Sequence, residues 1–317
     1  VADYRVVADP DNTFVGTVFE DFAIESMPGD VFLLGTTSWR IRRIESGVVR
    51  VVDAQGTPPS IPFWVGEAPA RTDELSDEVS KLREAVADRL AHSDEESVRA
   101  WLTDEENLGQ IVADQLVRYL GAGIGALGIV PTSRRIVFER FFDESGGMQL
   151  VVHSPLGGRI NRALCLALRK KFCKNFNFEL QAAANDDAMV LSLGPHHSFS
   201  LETVPRFVSS GAVKQTLEQA ALASPMFTAR WRWNLNRSLA VLRWKGGRKN
   251  PPPIQRMESD DLMAAVFPHQ AACQENVSYP VDIPNHPLVR QTMEDCLTEA
   301  MDVEGLGRLI QGFESGE

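Results

Sequence analysis

The apolar positions of this chain change their period along its length, and no single kind of secondary structure satisfies both patterns. From Asp3 to about Trp64 they come in short runs, such as Val31-Phe32-Leu33-Leu34 and Val48-Val49-Arg50-Val51-Val52. Turn signals at Pro10-Asp11-Asn12, Pro28-Gly29-Asp30 and Gln55-Gly56 cut these runs apart, which predicts a small antiparallel sheet or barrel. Past Ile61-Pro62-Phe63-Trp64 the spacing becomes three and four, at Leu75, Val79, Leu82, Val86 and Leu90, the signature of a helix. Strand pattern returns at Arg135–Phe142 and Met148–Val152 around Glu144-Ser145-Gly146-Gly147, a hairpin. A helix is predicted from about Arg159 to Asn175 and a strand from Ala188 to Leu193. From Leu201 onward the pattern is mostly helical, with a break at Pro251-Pro252-Pro253. The expected class is α+β: an antiparallel β-rich, barrel-like module over residues 1–72, then a mixed α/β and helical module over 73–317.

At 317 residues and 44% hydrophobic content the chain has material for two or more domains. It has no apolar run of membrane-spanning length, and Val1-Ala2-Asp3-Tyr4-Arg5 lacks the pattern of a signal peptide, which together predict a cytoplasmic protein without a membrane partner. The absence of an initiating methionine suggests a fragment or a processed chain. Cys165, Cys173, Cys273 and Cys296 show neither CxxC spacing nor a disulfide framework, so buried thiols are expected and no metal site.

Charge is segregated. The formal net charge is -11, and much of the acid lies between Thr72 and Asn107 on what reads as solvated helix faces. Between Gln219 and Met257, by contrast, there is no acidic residue, while eight arginines and lysines and three of the six tryptophans fall there. Guanidinium groups interleaved with indoles suit single-stranded nucleic acid, since cations hold phosphates and aromatic faces stack on any base. A helix is predicted to start at Pro225 with Ser224 as its cap. Phe227, Trp231, Leu235 and Leu242 would form its core stripe, while Arg230, Trp233 and Arg237 share another side. Trp233 is open to packing or to base stacking. Lys245, Arg248 and Lys249 are open to phosphate contact or to plain solvation.

A second acid-free stretch, Ser145 to Phe178, contains His153-Ser154-Pro155-Leu156-Gly157-Gly158-Arg159-Ile160-Asn161-Arg162. A strand ending in a glycine turn that opens a helix would aim backbone N–H groups at an anion such as a phosphate. The alternative is a tight turn followed by a solvated basic helix. Neither GxxxxGK[ST] nor GxGxxG occurs, so a nucleotide cradle is not supported. Asp94-Glu95-Glu96 has no phosphate-binding loop upstream and reads as surface; His196-His197 lacks a metal-ligand pattern, and no GxSxG accompanies a serine. Asp143 and Glu144 could serve a nuclease or glycosylase, or be exposed acids at a hairpin end. No catalytic residue is assigned.

Several blocks resemble the large helicase-related (Lhr) family of superfamily 2 DNA helicases, in the DEAD/H-associated region that follows the two ATPase domains and a winged helix. They are Gly29–Ile41 (Gly-Asp-Val-Phe-Leu-Leu-Gly-Thr-Thr-Ser-Trp-Arg-Ile), Pro62–Pro69, Arg140–Glu144, Val152–Asn161, Pro225-Met226-Phe227 and His286–Thr292, in family order across nearly the whole chain. The resemblance implies a parent that uses ATP and Mg²⁺ in its motor domains to translocate 3′-to-5′ on single-stranded DNA and to unwind duplexes, including RNA:DNA hybrids. It implies that this region, which lacks ATPase motifs and needs no cofactor of its own, closes over the motor domains to help form the strand channel. Its expected partners are a single strand or RNA:DNA hybrid, and the motor and winged-helix domains of the same parent. Rival roles are a catalytic domain acting on DNA and a docking domain that touches no DNA. The expected nucleic-acid-binding residues are Trp39 with Arg40 and Arg42, Trp64 in reserve, and Arg159, Arg162, Arg230, Trp233, Arg237, Lys245 and Arg248. Trp39, at the head of a cationic run, is the first choice for base stacking, with burial as its alternative, since strand tryptophans pack. Alternation along the strand would put Trp39, Ile41 and Arg43 on one face, with Arg40 and Arg42 on the other.

Overall fold

The short apolar runs of the first fifty residues form strands that bury one face each. In a computed structural model, which describes residues 3–34, 37–57, 70–142, 148–176, 181–194, 199–271 and 280–316, the chain opens with strands β1 (Asp3–Ala8) and β2 (Thr13–Phe19). Helix α1 (Glu20–Glu25) follows, then β3 (Val31–Leu34), β4 (Thr37–Glu45) and β5 (Val48–Asp53). Among the described residues the strand order is β2-β1-β5-β4-β3, an open sheet with β2 and β3 at its edges and no closed barrel. It is also mixed and not purely antiparallel, because β1 and β5 run parallel. Parallel neighbours need a crossover, and the path through β2, α1, β3 and β4 supplies it. Tyr4, Val6, Phe32, Ile41, Val49 and Val51 form the buried core with Phe22 and Ala23 of α1, and the Phe22 and Phe32 ring centroids lie 4.8 Å apart.

The three-and-four spacing becomes helix α2 (Asp73–His92), followed by α3 (Glu95–Asp104) and α4 (Gln110–Leu127). The Thr72 and Asp94 side chains accept from the N–H of Leu75 and Ser97, capping α2 and α3. Asp94, Glu95 and Glu96 are therefore a helix cap and first turn, all exposed, where acid suits the positive end of the helix. Val86, Val98, Leu102, Ala113, Val117 and Leu120 make a core of their own.

Strands β6 (Val137–Phe142) and β7 (Met148–His153) pair in antiparallel register, followed by helix α5 (Gly158–Phe176), β8 (Gln181–Ala184) and β9 (Ala188–Gly194). The sheet order is β6-β7-β9-β8, and α5 packs on it. After a 3-10 turn at Leu201–Phe207 come α6 (Val213–Leu222) and α7 (Pro225–Arg237). A two-residue-per-strand hairpin, β10 (Trp244–Lys245) and β11 (Arg248–Lys249), precedes α8 (Pro252–Val266) and α9 (Pro268–Ala271). The chain ends in α10 (Pro287–Glu294), a π-helical turn at Asp295–Ala300, and α11 (Val303–Ser315).

Packing groups the chain into two compact units, each drawn from two separated stretches. One joins Val1–Gly66 to Glu218–Glu299; the other joins Glu67–Leu217 to Ala300–Glu317. The reason in the first unit is that α1 and the sheet pack against α8, so the β-rich segment draws its cover from far along the chain. No helix among the described residues is long and apolar enough to cross a membrane.

Leu102 is fully buried in the three-helix core, whereas Leu75 is 53% exposed although it shares the helical spacing. Leu102→Ala is expected to cost about 2–5 kcal/mol and Leu75→Ala about 0.5 kcal/mol or less, as read from urea unfolding.

Candidate nucleic-acid interface

Helix α7 begins as its sequence dictates. The Ser224 hydroxyl accepts from the Met226 N–H at 3.2 Å, and Pro225 occupies the first turn. Phe227, Trp231 and Leu235 are buried, and the Trp231 indole N–H donates to the Ser259 carbonyl at 3.1 Å. The helix stops at Arg237, so Leu242 does not extend this stripe and lies exposed.

The other side of α7 is where expectation and structure part. Arg230 does lie over Trp233, 5.1 Å from the ring centroid, but it is only 2% exposed and its Nε donates to the Asp295 carbonyl. Trp233 is half-buried. Asn234 donates to Asp295 Oδ2 at 2.8 Å and Arg237 to the same oxygen at 2.6 Å. Asp295 is itself buried, and a buried carboxylate must be met by donors or cations. Arg237 and Asn234 answer that requirement, while Arg230 is turned inward to the Asp295 main-chain carbonyl, which corrects the expectation that Arg230 faces a phosphate. Arg237 keeps an exposed side chain but is engaged by Asp295. On a third side, Arg232 sits between Asp21 at 2.9 Å and Glu25 at 3.0 Å. Burial pushes the Glu25 carboxyl up even with Arg232 beside it.

The hairpin that follows is held at its base by one carboxylate. Glu20 is 1% exposed; Arg243 donates to its Oε2, and Lys249 Nζ lies 2.9 Å from its Oε1. Burial alone would raise the Glu20 pKa, but Lys249 and Arg243 outweigh it and hold the carboxyl below its ordinary value of 4.5. Lys245 pairs with Glu258. Of the eight cations between Gln219 and Met257, only Arg248 has no polar side-chain contact among the described residues. The acid missing from this segment is thus supplied by Glu20, Asp21, Glu25, Glu258 and Asp295 from outside it. Trp244, not among the expected residues, is 60% exposed. The signal that could have found it was Gly246-Gly247, which puts the preceding indole on a hairpin tip and not on a helix.

The glycine turn before α5 does present an anion site, and the chain fills it. Asp186 Oδ1 accepts from the Gly158 N–H at 2.6 Å and from the Arg71 N–H at 3.1 Å. Ser154 and Asn161 are fully buried, with Ser154 Oγ donating to Asn161 Oδ1 and Asn161 Nδ2 donating to the Ser154 and Asn185 carbonyls. The carboxylate satisfies the positive helix end, so no phosphate is needed there, a second correction. Arg159 and Arg162 donate to the Met301 and Ala300 carbonyls at 3.3 and 2.6 Å.

On β4, Trp39 is half-buried and packs against the sheet core. The register shifts between Ile41 and Arg43, where Arg42 is the extra residue of a bulge. Arg43 consequently leaves the face of Ile41, to which alternation had assigned it, and joins that of Arg40. Arg40, Arg42 and Arg43 are all exposed; Arg42 reaches Asp9 at 3.4 Å and Arg43 reaches Glu45 at 2.6 Å. Trp64, Asp143, Glu144, His196, His197 and Cys273 lie outside the described residues. Cys165 is buried, which pushes its thiol up to about 12.

The family model described as DEAD/H associated matches residues 130–317, and that of the large helicase-related protein winged helix domain matches residues 2–61. The chain therefore carries the winged-helix match and does not merely follow it, as the sequence resemblance had suggested. It is 28% identical over 304 residues to the Lhr helicase/uracil glycosylase of Escherichia coli (strain K12), covering 96% of this chain and 18% of that protein. It is 22% identical over 306 residues to the ATP-dependent helicase Lhr-Core of Sulfolobus acidocaldarius, covering 96% of this chain and 33% of that protein. The fold is similar to that of the Mycobacterium smegmatis helicase Lhr, solved bound to ssDNA and AMP-PNP, with TM-score 0.67 and 24% identity over 83% of this chain and 31% of that one. The chain thus spans 18% to 33% of the length of these relatives.

A Cβ on Gly157, whose φ is +89°, would lie 2.8 Å from the Arg71 carbonyl oxygen, while one on Gly121 of α4 meets nothing within 4 Å. Gly157→Ala is expected to cost more than about 1 kcal/mol, and Gly121→Ala to stabilise by about 0.5–1 kcal/mol, in urea unfolding. Because the Glu20 pKa is lowered on folding, its contribution is present above the ordinary carboxylate range and lost as pH falls through the folded value. Glu20→Gln should destabilise by about 1.5–3 kcal/mol at pH 7, with the gap to the wild-type protein closing below pH ~4.

Proposed function

Because the chain belongs to the DEAD/H associated family of large helicase-related proteins, we propose that it is the accessory region with which an ATP-dependent 3′-to-5′ DNA helicase holds a single strand beside its motor domains. Hydrolysis of ATP with Mg²⁺ belongs in this reading to those motor domains, and the strand, or one strand of an RNA:DNA hybrid, passes over this region in the channel. The relatives named helicases support the parent activity. The observation that carries the reading to this chain is the run Arg40, Arg42 and Arg43 on β4: the Arg42 and Arg43 side chains are 57% and 60% exposed in a protein of net charge -11. Fixed cations on an otherwise anionic body draw a polyanion to one place and repel it elsewhere. The bulge at Arg42 brings Arg43 to the face of Arg40, so two guanidinium groups share one side of the strand, which suits neighbouring phosphates.

Phosphate contact shows itself as salt dependence. Anisotropy of a labelled oligothymidylate between 50 and 200 mM salt should give log K falling linearly with log salt, by about 0.7 for each phosphate contacted. Arg40→Gln with Arg42→Gln should weaken binding and flatten that slope by about 1 to 1.4. A wild-type protein that does not bind the oligonucleotide would refute the strand-holding role.

A further inference from the structure

Among the described tryptophans, Trp231 is buried and Trp39, Trp101 and Trp233 are half-buried, which leaves Trp244 as the one that is mostly exposed, at 60%. Leaving an indole in water forgoes the stabilisation of burying it, so its exposure is notable where the hairpin around it is otherwise tightly specified. Trp244 pairs with Lys249 and Lys245 with Arg248, with Gly246 and Gly247 at φ +57° and +75° between them. Both turn residues are in the left-handed region, which the two-residue hairpin turn needs and which glycine adopts without strain. The base is locked: Arg243 and Lys249, one on either side of the turn, converge on buried Glu20, and the Asn250 N–H donates to the Arg243 carbonyl at 2.8 Å. The Asn250 side chain donates to the Leu242 carbonyl and to Glu258, which also takes Lys245.

We propose that this hairpin is a finger for unpaired nucleic acid, in which the Trp244 indole stacks on a nucleobase and Arg248 holds a neighbouring phosphate. Cross-strand pairing puts Trp244 and Lys249 on one face and Arg248 on the other, beside the turn. Lys249 is withdrawn into Glu20, its Nζ 5.3 Å from the Tyr4 ring centroid, so the indole is not shadowed by a mobile neighbour. A strand laid across the tip meets a flat apolar surface on one side and, on the other, a guanidinium with no polar side-chain contact among the described residues. The four cations of the hairpin and its base are met by two carboxylates, Glu20 and Glu258, and that local excess of positive charge favours a polyanion over an acidic-poor protein surface. Stacking is indifferent to base identity, as a strand that slides requires. The assignment rests on the strand-holding reading above, and it adds a base contact to a site otherwise made of phosphate contacts.

The 317-residue chain and its Trp244→Ala, Trp244→Phe and Arg248→Gln variants are titrated into labelled oligothymidylate and into a strand of the same length with abasic positions. Trp244→Ala is expected to weaken oligothymidylate binding about 5- to 100-fold, with Trp244→Phe recovering most of it and an unchanged urea midpoint. On the abasic strand, wild-type protein and Trp244→Ala should bind alike, and Arg248→Gln should lower the salt slope on both strands by about 0.7. If the wild-type chain binds but Trp244→Ala binds equally well, the finger is refuted and strand holding stands. If the wild-type chain does not bind, both fall. Undiminished DNA binding by Trp244→Ala, with weakened association to the ATPase-bearing remainder of the parent, would assign the hairpin to protein docking and overturn the proposal.

Discussion

Two buried carboxylates organise the unit built from residues 1–66 and 218–299. Glu20 and Asp295 are 1% and 2% exposed, and neither has a partner from its own strand or helix that could neutralise it. A carboxylate removed from water is tolerated only when cations or N–H donors surround it, and here the cations come from α7, from the residue just before the hairpin and from the hairpin itself, with the Gln291 amide of α10 donating to Asp295 as well. Arg237, Asn234 and the Arg230 side chain converge around Asp295; Arg243 and Lys249 converge on Glu20. These contacts cross long stretches of sequence, so they fix which segments meet as well as how strongly. The placement of Trp244 follows from the same requirement, since the hairpin base cannot turn without breaking its hold on Glu20.

Charge composition and available charge are therefore different quantities in this protein. The segment between Gln219 and Met257 contains no acid of its own, yet most of its cations offset carboxylates contributed by other segments. The N-terminal end of α5 tells the same story, with Asp186 where an external anion was expected. What reaches solvent is smaller and differently placed: the guanidinium groups of β4 and the tip of the hairpin.

Local pattern was legible in the sequence and distant pairing was not. The α+β class, the strands at 31–34 and 48–53, the β6–β7 pair, the span of α5 and the start of α7 all follow from period, caps and prolines within a few residues. The parallel pairing of β1 with β5 could not be read, because nothing in either strand encodes its neighbour, and the bulge at Arg42 shifted a face that strict alternation had assigned. Leu242 was counted into a helix that had already ended. The candidate site was legible as residue types, and family resemblance supplied its theme. Which arginines were free was not legible, since that depended on carboxylates up to hundreds of positions away, such as Asp21 against Arg232.

The nesting of the two units has a consequence for synthesis. Residues 67–217 lie between the halves of the first unit, and the second unit is completed only by 300–317. A nascent chain emerging from the ribosome therefore exposes the strands of its first sixty residues long before α7 and α8 arrive to cover them. During that interval Glu20 has no cation to meet, and edges β2 and β3 stand open to pairing with other chains.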